Sequence, residues 1–81
     1  MIKICVLERS WILVGELEKD GDFYFLRKGA FIRRWGTKTG LGEIAKNGPT
    51  SETILDKTET VKFHENQLIF TISCVEDKWK I

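Results

Sequence analysis

A chain of 81 residues makes a single domain, 1–81, with a thin core, because a domain this small buries only about 60% of its unfolded surface. With 13 Lys and Arg against 12 Asp and Glu, the formal charge of +1 excludes the broad positive field that holds a nucleic-acid backbone. Hydrophobic residues at 42% and charged residues at 31% exclude a disordered tail, and no apolar run approaches the roughly 20 residues that cross a bilayer. No signal peptide is recognisable, since Glu8 and Arg9 interrupt the first apolar stretch, so a cytoplasmic protein with no membrane partner is expected.

In chain order, Ile2, Ile4 and Val6 alternate with Lys3 and Cys5, the period of a half-buried strand. Glu8, Arg9 and Ser10 form a turn. Residues 11–17 are apolar on both faces as far as Gly15, which predicts a central second strand. Asp20-Gly21 predicts a type I′ hairpin turn into a third strand at 23–26. Arg27-Lys28-Gly29 reads as another short hairpin connection, with Gly29 in the left-handed position, and leads to a fourth strand at 30–35. In that strand Ala30 and Ile32 are assigned to the core, which leaves Arg33 and Trp35 together on the other face.

Leu41 opens a two-turn helix, capped by Thr39 or Gly40 and stopped by Asn47-Gly48-Pro49. Residues 50–57 read as loop. Val61 and Phe63, then Leu68, Phe70, Ile72 and Cys74, alternate about a Glu65-Asn66 turn as a closing strand hairpin. Trp79 lies in a charged tail, placed to fold back on the body or to dock on a neighbour. The expected fold is mainly β (α+β): a small antiparallel sheet or open barrel of about six strands, with one short helix after the fourth.

Chemistry is concentrated in Arg33-Arg34-Trp35-Gly36-Thr37-Lys38-Thr39-Gly40-Leu41-Gly42-Glu43. Gly40 to Ala45 fits the G-x-G-x-x-A pattern of dinucleotide-binding folds, but hairpin-linked strands cannot supply the parallel βαβ unit that the pattern requires. The P-loop pattern is absent. What remains is general physics: an indole stacks on a base for about 1–3 kcal/mol, Arg33 and Lys38 suit phosphate, and Thr37, Thr39 and the Gly36, Gly40 and Gly42 backbone offer donors. Thr50 and Ser51 form a second polar turn that could close over such a ligand. The bland alternative is that the glycines only permit a sharp turn and that Thr50 and Ser51 cap it.

No catalytic constellation stands out. His64 is the lone histidine and reads as a solvated strand residue; two cysteines and one histidine are too few for a zinc site. Glu43, Glu52 and Asp56 are assigned to helix N-terminal charge and turns. Cys5 and Cys74 read most simply as buried small hydrophobes, with a disulfide between the termini as the alternative. Neither cofactor nor metal is expected.

The core R-x-W-G-T-x-x-G-L-G, here Arg33, Trp35, Gly36, Thr37, Gly40, Leu41 and Gly42, together with Asn47-Gly48-Pro49-Thr50 and Ile54-Leu55-Asp56, resembles a family of small phage and prophage proteins. That resemblance implies a role in host takeover or counter-defence. With the site chemistry, it leads to the expectation of a non-enzymatic, homo-oligomeric protein that sequesters a nucleotide-like signal, such as a cyclic oligonucleotide, through Arg33, Trp35, Gly36, Thr37, Lys38, Thr39, Gly40, Leu41, Gly42, Thr50 and Ser51. The alternative is a module that inhibits a host protein by docking through Trp35, Trp79 and the basic patch at 27–38. A small barrel that binds single-stranded nucleic acid needs more positive charge than +1.

Overall fold

The structure is a computed structural model that describes residues 1–36 and 40–79. It is mainly β, with strands β1 (Ile2–Leu7), β2 (Ile12–Asp20), β3 (Phe23–Arg34), β4 (Ile54–Lys57), β5 (Val61–His64) and β6 (Leu68–Ser73), and one helix, α1 (Leu41–Asn47), between β3 and β4. All pairings are antiparallel in one open sheet of order β4-β3-β2-β1-β6. Strand β5 lies off this path, on the first half of β3.

The expected count of six strands holds, although two of its parts move. Residues 27–29 are not a hairpin connection but lie inside one twelve-residue strand, β3. The irregularity that suggested a turn is a bulge: pairing with β2 shifts register between Val14 and Glu16, and it is Lys28, at φ 50°, that takes the left-handed conformation. A side chain on Gly15 would sit 2.8 Å from the Cα of Gly29, and one on Gly29 would sit 2.9 Å from the Val14 carbonyl oxygen, so these two glycines let the strands cross closely. The helix consequently follows the third strand. The missing strand reappears at residues 54–57, expected to be loop, where β4 pairs with the second half of β3.

Two further expectations change. The β2–β3 turn has a positive φ only at Gly21 (62°), whereas a type I′ turn needs two. Strands β5 and β6 do not form a hairpin with each other. A 3-10 turn at Glu65–Gln67 separates them, β5 goes to β3, and β6 goes to β1. His64 is half-buried rather than solvated: its Nδ1 accepts from the Asn66 N–H at 3.1 Å and caps that turn, while its ring meets Phe23 edge-on.

Alternation along the strands builds a core on each face. On one face Ile4, Val14 and Ala30 are neighbours across β1, β2 and β3, and with Ile2 and Ile32 they pack on Ile44, Ala45, Cys74 and Trp79. On the other face lie Cys5, Leu7, Leu13, Leu26 and Phe63. Trp79 does not dock elsewhere: it is 2% exposed, and its indole N–H donates to the Ala45 carbonyl oxygen at 3.3 Å. Both cysteines are buried free thiols, and burial pushes each pKa up to about 11.

Candidate functional site

The site begins where β1 ends. Arg9 and Ser10 both adopt a φ of 65°, a conformation that costs a non-glycine residue roughly 1–2 kcal/mol. The turn is closed by a 2.8 Å hydrogen bond from the Leu7 N–H to the Trp11 carbonyl oxygen. Strain of this kind recurs where a side chain must be aimed. Here it delivers Trp11, outside the start of β2 and 57% exposed.

Trp11 meets Phe31 of β3 edge-to-face, with ring centroids 5.6 Å apart. Phe31 lies opposite Asp56 of β4, and two residues on, Arg33 closes a fork onto that carboxylate: Nε to Oδ2 and Nη2 to Oδ1, each 3.0 Å. Between these groups runs a groove of about 350 Å³ lined by Ser10, Trp11, Ile12, Phe31, Arg33 and Asp56. Beyond Trp11 a second hollow of about 330 Å³ is lined by Leu7, Glu8, Arg9 and Gln67. The indole is therefore a ridge between two depressions, each with one arginine and one carboxylate at its wall. Each wall thus carries one group of either sign and no net charge.

The residues singled out from sequence divide into separate roles. Arg33 lines the groove, but its aromatic neighbour there is Trp11. Trp35 lies just past the end of β3, is 39% exposed, and is not among the groove-lining residues. Pairing with β4 shifts register between Ile32 and Arg34, which breaks the alternation expected to keep Arg33 and Trp35 on one face. Arg34 pairs with Glu52, Nη2 to Oε2 at 3.8 Å. Thr37, Lys38 and Thr39 lie outside the described residues.

Gly36, at φ 67°, is packed against backbone: a Cβ there would fall 2.5 Å from the carbonyl carbon of Glu52. The turn at residues 50–53 is tied to the same place. The Thr50 hydroxyl donates to the Gly36 carbonyl oxygen at 3.1 Å, and the Thr53 hydroxyl donates to that of Trp35 at 2.6 Å. Thr50 thus secures the end of β3, and Ser51 beside it is exposed. Leu41 packs on the helix-side core. At Gly40, φ 84°, and at Gly42, a Cβ would meet none of the described residues within 4 Å.

Sequence reasoning missed Trp11, Phe31 and Asp56 as a group. The available signal was a tryptophan directly after a charged turn, in a strand whose apolar residues exceed what one face can bury. Asp56 could be linked to Arg33 only once residues 54–57 were known to pair with β3. Among the described residues no three His, Cys, Asp or Glu side chains converge as metal ligands would, and no helix is long and apolar enough to cross a membrane. In comparisons with known proteins, no family model matches this chain and no curated protein is significantly similar to it.

Proposed function

We propose that this chain is a non-enzymatic binding protein for a nucleotide-like ligand, with Trp11 as the stacking platform. One observation carries the reading: an exposed indole, held out by a strained turn, stands between two grooves whose walls each offer guanidinium donors and carboxylate acceptors. A base stacked on an aromatic gains about 1–3 kcal/mol, and its edge needs both kinds of hydrogen-bonding group. Arg33 has five N–H donors, of which the Asp56 fork takes two, so it can contact a ligand without giving up its partner. Two depressions flanking one indole suit a ligand with two bases. Cyclic di- and trinucleotides are accordingly the first compounds to test, and a role in sequestering such a signal for a phage rests on the resemblance of the motif.

Calorimetry against a panel of cyclic oligonucleotides is the direct measurement. In a Trp35→Phe background a binder should quench the emission of Trp11 while the buried Trp79 contributes a constant background. Trp11→Ala should weaken binding tenfold or more, and Arg33→Ala should also weaken it. The reading fails if no panel member binds, or if Trp11→Ala binds as tightly as the parent.

A second reading, a module that docks on a host protein, is favoured by the neutralisation of both Arg33 and Arg34 by carboxylates. In that case Trp11 and Trp35 would be the anchors, without Trp79, which is buried. Stoichiometric capture of one protein from bacterial lysate, lost in Trp35→Ala and with no nucleotide binding, would select it.

A further inference from the structure

Strand β6 pairs with β1 along one edge, and among the described residues no strand pairs with its other edge. The Cys74 N–H donates to the Ile2 carbonyl oxygen on β1 at 3.0 Å. By alternation the backbone groups of Thr71 and Ser73 then point away from β1, toward the free edge. The side chains there are apolar and exposed: Ile69 is 58% and Phe70 49% accessible. Residues 67–75 contain no charged residue and no proline. Sheet edges are usually protected by lysine, proline or a covering element, because an unprotected edge templates another strand.

We infer that the free edge of β6 pairs with the same edge of a second copy of this chain, in antiparallel fashion about a two-fold axis, making one sheet continuous through both protomers. The second copy is the fitting occupant because the edge is self-complementary. The Val75 N–H is already bonded to the Ala45 carbonyl oxygen of α1 at 3.0 Å, so the pairing is confined to residues 69–73; an isologous ladder centred on Thr71 sets this stretch against itself, and with no charged residue in it no like charges meet. Phe70 and Ile72 of each chain share the helix-side face and extend its apolar row into the partner. The groove of Trp11, Phe31 and Arg33 is built on β2, β3 and β4, away from β6, so this pairing is independent of what that groove binds, while the hollow beyond Trp11 borders the pairing at Gln67.

A strand pairing of this length buries less than the roughly 1,200 Å² of a stable interface, so the dimer should depend on concentration. Sedimentation velocity over a wide concentration series should show the monomer giving way to a species of twice its mass. Hydrogen exchange at the Thr71 and Ser73 amides should slow in step. Phe70→Lys, which sets charge into an exposed position of the edge, and Ser73→Pro, which removes an outward donor while sparing the β1 ladder, should each hold the chain monomeric at an unchanged unfolding midpoint. If Ser73→Pro fails to fold, Phe70→Lys decides. A chain that stays monomeric at every concentration overturns the inference. So does a dimer that survives Phe70→Lys with Thr71 and Ser73 still exchanging freely.

Discussion

Trp79 and Trp11 mark two regions that use the same side chain in opposite ways. Trp79 is enclosed between the sheet and α1 and spends its N–H on the Ala45 carbonyl. Trp11 has one aromatic neighbour and open grooves on either side. The first region is closed by a helix and a returning C-terminus; the second has neither, and a strained turn keeps it that way. Burial separates an indole that holds this small domain together from one that is left exposed at the surface.

The contrast can be broken from the Trp79 side first. Trp79→Ala removes the largest fully buried side chain and should cost about 3–5 kcal/mol, much of what a domain of this size has to spend, as read by urea unfolding. Trp11→Ala should leave stability within about 1 kcal/mol of the parent while weakening the ligand, the reverse pattern. Gly36→Ala comes next: the added methyl meets the Glu52 backbone at a φ that side chains avoid, and a loss of about 1–3 kcal/mol is expected in the same assay.

Gly42→Ala sharpens the comparison, since none of the described residues lies within 4 Å of the added methyl and the position is helical. It should stabilise the fold by about 0.5–1 kcal/mol, and a simultaneous loss of ligand binding would bring Gly42 back into the site. The smallest effect belongs to Lys19 and Glu65, 2.9 Å apart and both exposed. The hydrogen bond from Lys19 holds the Glu65 carboxyl below its ordinary range and raises the Lys19 ammonium. The contribution is therefore present at neutral pH and fades as the pH falls through the carboxylate range. It fades again as the pH rises through the lysine range. Lys19→Met should shift the neutral-pH melting temperature by no more than about 2 °C, and the difference from the parent should vanish in acid.

What the sequence made legible was periodic and local. Ile2, Ile4 and Val6, the assignment of Ala30 and Ile32 to the core, and the helix stopped at Gly48 all follow from spacing of a few residues, and all hold. What it hid depends on partners far along the chain. Residues 54–57 are a strand only because β3 offers them an edge, and Lys28 bulges rather than turns because Gly15 lets β2 stay paired beyond it. Trp79, in a charged tail, could fold back on the body or dock on a neighbour; the first holds, and nothing local reveals that Ile44 and Ala45 are what it packs on. The groove was hidden for the same reason: its walls come from three separate stretches, at Trp11, at Phe31 with Arg33, and at Asp56. In the glycine-rich run, the need for glycine at position 36 is explained by a backbone contact with Glu52, a partner 16 residues on that the local pattern does not reveal.

The long strand β3 sets an order of assembly. It joins β2 through a two-residue turn, so their pairing closes the shortest loop in the sheet and carries the smallest entropy cost. Among the described residues both β4 and β5 have only β3 as a strand partner, on opposite sides of the bulge at Lys28, so neither has an edge to join until that hairpin stands. The last connection, β6 onto β1, bridges almost the whole chain and brings Val75 and Trp79 to their place against α1. The groove between Trp11 and Arg33 needs β2, β3 and β4 but not that final step, whereas the hollow beyond Trp11, walled by Leu7 and Gln67, waits for it. One side of the indole can therefore be formed while the other is still open chain.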